Sequence, residues 1–367
     1  MTSSRTFETL LTLTRLGVGN TGGELPDSIE WKELKALAEQ HGLSAVVLDG
    51  IERLPENQRP PQLFLLEWIG EVLQEYEYRY NQYRKAIAEL AGFYNSHGYK
   101  MMVLKGYACS IDWPKPEHRP CGDIDIWQFG KQKEVDALLE AEKPVQVVQD
   151  GQKFKVDRSH HHHTVFHWRD FMVENHYDFI NVHHHKSHIE LETILKELGQ
   201  DECQYVELYG EKVYLPSANL HALFLLKHLT LHFSTGEINL RQLLDWAFFV
   251  NAHVNDVDWE RIESVIEMFG MKEIYGIFNA ICVEELGFAL EVFNYVQFKP
   301  FLKQRVVEDI ILTTPSDEVP INVVRRVFHK YHRWKANEWK HQLCYSDSMW
   351  SAFWSGVWNH LLKPSSI

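Results

Sequence analysis

No apolar run in this 367-residue chain is long enough to span a bilayer, and nothing in it has the order of a secretory leader. Paired cysteines are missing too. Cys109, Cys121, Cys203, Cys282 and Cys344 are odd in number, scattered, and contain no Cys-x-x-Cys. The expectation is therefore a reduced, cytoplasmic protein rather than a disulfide scaffold. Positive charge is also scarce, with 37 Lys and Arg against 51 Asp and Glu, a formal balance of −14. Tight binding of a long nucleic acid needs many cationic contacts to phosphates, so that partner class is disfavoured, although local basic patches remain compatible with the count. There is no internal repeat, and no disordered composition beyond the ends, 1–6 and 363–367. What is present is enough apolar material for a core, 45% of residues, in a length that suits two or three units of roughly 150 residues.

The hydrophobic period changes along the chain. From about Trp31 to Tyr94 it is helical, most clearly in the stripe Tyr76, Tyr80, Tyr83, Ile87, Leu90 and Tyr94. The tyrosines of that stripe are expected to pack in a core rather than to stack bases. From Tyr99 to about Glu192 the period shortens. Tyr99–Leu104, 145–148, the segment around Thr164–Phe166 and Phe171–Phe179 suggest strands, with a helix over Lys131–Glu142 between them. Beyond Pro216 the pattern is helical again, punctuated by Gly236, Gly270, Gly287 and Pro300. The expected organisation is α+β: a helical region over 1–98, a mixed-sheet core over 99–215 and a helical domain over 216–367.

Chemistry concentrates at two places in the core. Leu104-Lys105-Gly106 ends one strand, and Gly122-Asp123-Ile124-Asp125-Ile126 opens another. Side chains alternate along a strand, so Asp123 and Asp125 share one face while Ile124 and Ile126 fill the other. Two carboxylates at roughly 6 Å repel by about 3 kcal/mol at an effective dielectric near 20. Either the pair is a solvated strand edge, or a divalent cation sits between the two acids and reverses the repulsion.

A strand ending at Gly, a short helix-like segment and an acidic pair on a second strand resemble the nucleotidyltransferase fold of the DNA polymerase β superfamily. More narrowly, four features resemble the bacterial family of uncharacterised nucleotidyltransferases. These are Leu-Lys-Gly, the loop with Pro114, Pro116, Arg119 and Pro120, Asp-Ile-Asp-Ile, and the later Val173-Glu174-Asn175-His176. Leu215-Pro216-Ser217, the segment Leu220–His232, 239–245 and Asp258-Trp259-Glu260 extend the resemblance over roughly Trp31 to Gly287.

The resemblance implies a Mg²⁺- or Mn²⁺-dependent enzyme that moves an NMP unit from an NTP, such as ATP, to a hydroxyl or phosphate of a small molecule or protein. It implies Asp123, Asp125 and Glu174 as catalytic metal ligands, with Glu174 able to take a proton from the acceptor hydroxyl. Lys105, Gly106, Arg119 and His176 become the nucleotide-binding residues, with Lys105 and Arg119 on the outer phosphates. One departure stands out: Tyr107 replaces the usual Ser after the phosphate-loop Gly. The gap from Gly106 to Asp123 is also long, and the loop from Pro114 to Pro120 is expected to cross the pocket mouth. The alternative class is a non-catalytic nucleotidyltransferase-like module that binds a nucleotide or a partner.

Two His-rich runs remain, His160–His163 with His167, and His183–His185 with His188. Alternate residues of the first would share a strand face, so a two-His zinc pair is geometrically open. No Cys or acid lies at structural-zinc spacing, and the competing role is to border the nucleotide pocket. Near the end, Met349, Trp350, Phe353, Trp354, Val357, Trp358, Leu361 and Leu362 form an apolar stripe. It lacks the basic face of a membrane binder, which favours packing on the protein itself.

Overall fold

The computed structural model describes residues 4–147, 154–183, 185–201, 203–294, 296–312, 332 and 335–350. The chain starts with α1 (Ser4–Gly17), α2 (Trp31–Gln40), α3 (Ser44–Glu52) and α4 (Gln62–Val72). A π-helical stretch, Leu73–Tyr78, leads into α5 (Arg79–Ser96). Next come β1 (Met102–Val103), α6 (Tyr107–Ser110), β2 (Ile124–Trp127), α7 (Gln132–Glu142), β3 (His163–Trp168) and β4 (Phe171–His176). They are followed by α8 (Ser187–Asp201), β5 (Cys203–Leu208), β6 (Glu211–Pro216), α9 (Ala218–Thr235), α10 (Leu240–His253), α11 (Trp259–Met268), α12 (Lys272–Glu284) and α13 (Pro300–Leu312), and a further helix covers Glu338–Cys344. None of these helices is long and apolar enough to cross a membrane.

The chain divides into two compact units. One comprises 77–111, 120–224 and 347–367; the other comprises 1–76, 112–119 and 225–346. The first holds a six-stranded mixed sheet in the order β3-β4-β2-β1-β6-β5. β2 runs parallel to β4 with Asp125 opposite Glu174, and β3 runs antiparallel to β4 with His163 opposite His176 and Val165 opposite Glu174. Partners in register point to the same side, so this pairing decides which side chains meet. Ile124, Ile126, Phe166, Trp168, Phe171 and Val173 go to the other side and form the core with Tyr83, Ile87, Leu90 and Tyr94 of α5 and Val135 and Leu139 of α7.

A buried polar knot fixes that core side. Asp136 of α7 accepts from Asn175 Nδ2 at 2.9 Å and from Thr164 Oγ1 at 2.9 Å, and also from Gln132. Each donor is buried, so losing the carboxylate would leave several polar groups unsatisfied. The knot clamps β3 and β4 in the register that carries Glu174 and His176.

Several expected strands come out shorter. The 99–104 strand reduces to Met102–Val103, and the 171–179 strand ends at His176. Within 145–147 only Val147 bridges, to Trp168, and Val148 lies outside the described residues. The β5–β6 hairpin is an addition to the expected elements. It turns at Tyr209 and Gly210, with φ of 50° and 85°, the two positive values that a tight hairpin turn requires. The apolar stripe near the C-terminus lies outside the described residues beyond Trp350.

The second unit is helical. α1 packs on α2 and α3, and α12 packs on α10, α11 and α13. α10 opens with a capping box, Asn239 accepting from Gln242 N while the Gln242 side chain accepts from Asn239 N. Segment 112–119 is tied into this unit by two carboxylates. Asp245 accepts from Trp113 Nε1 at 3.0 Å and from Arg119 Nε and Nη2 at 2.7 and 2.9 Å. Asp49 holds Lys115 Nζ at 2.5 Å and His118 Nδ1 at 2.7 Å.

Asp245 and Arg119 are both buried, so removing the carboxylate takes the bidentate charge partner from a desolvated guanidinium. Asp245→Ala should therefore lower unfolding free energy by about 3–5 kcal/mol. Urea unfolding followed by circular dichroism measures this; a loss near zero would show that Arg119 does not depend on the pair.

Candidate active site

The Gly106 turn is built around one hydroxyl. Gly106 has φ +60°, and a Cβ placed there would lie 2.1 Å from Tyr83 Oη. That same hydroxyl donates to Asp123 O at 2.8 Å. Tyr83 thus joins the turn after β1 to the residue that precedes β2, and no side chain other than glycine leaves room for it. The expected packing tyrosine is indeed in the core, but its polar end also sets the spacing between the turn and the acids. Tyr107, directly after the turn, is buried, and Arg84 faces its hydroxyl.

Asp125, Glu174 and His176 come together, with donor atoms all within 4.8 Å of one another. Asp125 is only 2% exposed and carries two cationic neighbours: Lys105 Nζ at 2.7 Å and His176 Nε2 at 3.1 Å, both on Oδ1. Burial opposes charge on Asp125, yet these two neighbours hold its carboxyl well below the usual range. His176 is the mirror image. Burial works against its charge, but Asp125 and the 3.6 Å contact with Glu174 Oε2 lift it to about 9. Lys105 is likewise raised: burial opposes its charge, and Asp125 and Asp123 outweigh burial. His176 Nδ1 lies 3.2 Å from Asp178 O, which orients the ring with Nε2 towards the acids.

Asp123 differs from Asp125. Burial and the charge of Asp125 both push its carboxyl up, with Lys105 opposing and Glu174 adding to the rise. Among the described residues no cation lies within ion-pair distance of its carboxylate. A half-buried acid beside two others, without a cation of its own, is the donor chemistry that suits a hard divalent ion. Asp125 and Glu174 meet as oxygen donors with Asp123 beside them, a donor set of the kind that Mg²⁺ or Mn²⁺ takes.

The structure thus brings Asp123, Asp125, Glu174, Lys105 and His176 to one side of the sheet, with Gly106 tied in through Tyr83. Arg119 belongs to the helical unit, where its guanidinium forks onto Asp245. The first His run contributes His162 and His163, since β3 pairs with β4 as expected. Burial and the neighbouring His176 lower His162 to about 2, and burial also lowers His163, with Glu174 opposing. Of the second run, His188 Nδ1 bonds Asn181 O at 2.7 Å and His185 lies 3.6 Å from Asp347.

The sequence pattern described as uncharacterised nucleotidyltransferase matches residues 27–287. No curated protein matches the chain. Among solved structures, one similar chain is an antigenic nucleotidyltransferase-like protein from Paracoccidioides brasiliensis. It is 12% identical, covering 50% of this chain and 87% of its own, with a TM-score of 0.32, a likeness too slight to decide anything.

The His176–Asp125 contact sets a pH dependence. His176 titrates near 6.5 when unfolded and near 9 when folded. Its contribution to stability is full below about pH 6.5 and is lost as pH rises through about 9. The metal-free protein should show a melting temperature that declines across that window, more steeply than in His176→Gln. Parallel profiles in differential scanning calorimetry would remove His176 as the cause.

Proposed function

The chain belongs to the uncharacterised nucleotidyltransferase family, and from that premise we propose that it is a Mg²⁺- or Mn²⁺-dependent enzyme. It moves an NMP unit from an NTP to a hydroxyl or phosphate of a small-molecule or protein acceptor. The observation that carries this reading is the in-register pairing of Asp125 with Glu174 on parallel strands, beside an Asp123 whose carboxyl is pushed up by burial and by Asp125.

In this reading Asp123, Asp125 and Glu174 hold the metal, which when bound supplies charge neutralisation for an in-line displacement at phosphorus. Glu174 is more exposed than Asp125, and in this reading it takes the proton of an attacking hydroxyl. Lys105 now neutralises Asp125. Once that charge is met otherwise, its ammonium serves the β- and γ-phosphates of the NTP. Gly106 lets the backbone approach the phosphates. His176 holds the orientation of Asp125 and Glu174. Arg119 is tied to Asp245 within the helical unit.

A non-catalytic module is the second reading, and the buried Tyr107 at the phosphate turn is the observation that favours it. Pyrophosphate release separates the two. With Mn²⁺ or Mg²⁺, an NTP mixture and a panel of hydroxyl acceptors, the protein should release pyrophosphate. Asp123→Asn should reduce the rate about a hundredfold or more. Nucleotide binding without release would favour the module, and a fully active folded Asp123→Asn protein would remove the metal assignment.

Calorimetric titration tests Lys105 on its own. Lys105→Met should weaken NTP binding by about 1–3 kcal/mol, the range for a charge-assisted hydrogen bond, and leave NMP binding nearly unchanged. Equal losses for both ligands would move Lys105 away from the outer phosphates.

A further inference from the structure

Beside the carboxylates lies a second set of donors, of which the proposed reaction uses only His176, as an orienting group. Nitrogens of His162, His163 and His176 fall within 4.8 Å of one another. The rings crowd together, with centroids 4.4 Å apart for His162 and His163 and 5.2 Å apart for His163 and His176. Nδ1 of His162 and both ring nitrogens of His163 are buried with no hydrogen-bond partner. Buried polar atoms are nearly always satisfied, so unpartnered nitrogens on two adjacent imidazoles, each ring offering one nitrogen to a group that includes His176, point to a missing ligand.

The backbone pre-forms this arrangement. His163 faces His176 across the β3–β4 ladder, and His162 O accepts from Tyr177 N and Asp178 N at 3.0 and 3.1 Å. Asp178 O in turn sits 3.2 Å from His176 Nδ1. A ligating imidazole commonly has its second nitrogen held by a backbone carbonyl in this way, which leaves Nε2 for an ion.

Nitrogen donors select against Mg²⁺, which takes oxygen, and in favour of borderline transition ions. Three imidazoles with a fourth position open are a familiar zinc set. We propose that His162, His163 and His176 form a site for a divalent transition ion, Zn²⁺ in particular, distinct from the Mg²⁺ or Mn²⁺ held by the carboxylates. Glu174, with Oε2 at 3.7 Å from His163 Nδ1, lies where it borders both sites. His176 also touches both, so an ion on the histidines draws its Nε2 away from Asp125.

Cobalt titration of the full-length, metal-stripped protein tests this, because Co²⁺ reports its donors in its visible ligand-field spectrum. The wild type should bind one Co²⁺ with the intense bands of a low-coordinate, nitrogen-rich site, and Zn²⁺ should displace it. His162→Ala and His163→Ala should each weaken binding at least about tenfold, since losing a direct ligand should cost no less than losing an outer-shell partner. Asp123→Asn, which impairs the carboxylate site without touching a histidine ligand, should keep the same bands and affinity.

The proposal is overturned if wild-type protein gives only the weak bands of oxygen-ligated octahedral Co²⁺. It is equally overturned if both histidine variants, shown folded by circular dichroism, bind as the wild type does. Should either variant fail to fold, the wild-type spectrum and zinc displacement decide alone.

Discussion

Asp125 is the buried charge on which the polar side of the sheet depends. A carboxylate 2% exposed, in the middle of a mixed sheet, is tolerable only with its charge compensated. Lys105 and His176 provide that compensation from two different neighbours of β2: the end of β1 and the parallel strand β4. The position of each follows from strand pairing rather than from a flexible loop. The same sheet commits its opposite face to Ile124, Ile126, Val173 and the α5 tyrosines, so the polar side cannot rotate inward without emptying the core. Site and core are two faces of one set of strands.

Much of this arrangement is legible in the amino-acid sequence. The Asp-x-Asp spacing in an apolar run fixes a shared face for the pair, and Glu174 and His176, again two apart, share theirs. Which of those faces meets which is not legible there, because register is a long-range property. Only the pairing of Asp125 with Glu174 and of His163 with His176 brings the four together. The chain's own ion pairing is equally hidden. Lys105 looks like a phosphate ligand from its place beside Gly106, and nothing local shows that Asp125, on another strand, holds it. The same is true of Arg119, whose partner Asp245 lies 126 residues away. Tyr83 fits a packing stripe by period, and a period says nothing about where a hydroxyl points. The β5–β6 hairpin is hard to recognise because its turn uses Tyr209 in a left-handed conformation, a residue that carries no turn signal.

The electrostatic character of the site also differs from a plain acidic trio. Three carboxylates face two cations of the chain itself, so a divalent ion does not enter a purely negative cavity. It competes with Lys105 and with the proton on His176 for the same oxygens. Under the proposed function, affinity for the ion is tied to where those two positive charges can go, and the triphosphate of the proposed substrate is the destination for the lysine. On that reasoning nucleotide and metal favour each other's binding, each relieving a cost that the other would meet alone.

The division of the chain has a consequence for its inheritance. The sheet unit takes α5 from before β1 and resumes after segment 112–119, while the helical unit claims that segment through Asp245 and Asp49. Neither unit is a continuous stretch of sequence. A fragment beginning at residue 99 would discard Tyr83, Ile87, Leu90 and Tyr94, the wall against which the strands pack. Such interleaving resists the cut-and-paste by which modules spread between genes. The two units can be copied together or modified in place, and neither can readily be lent to another protein.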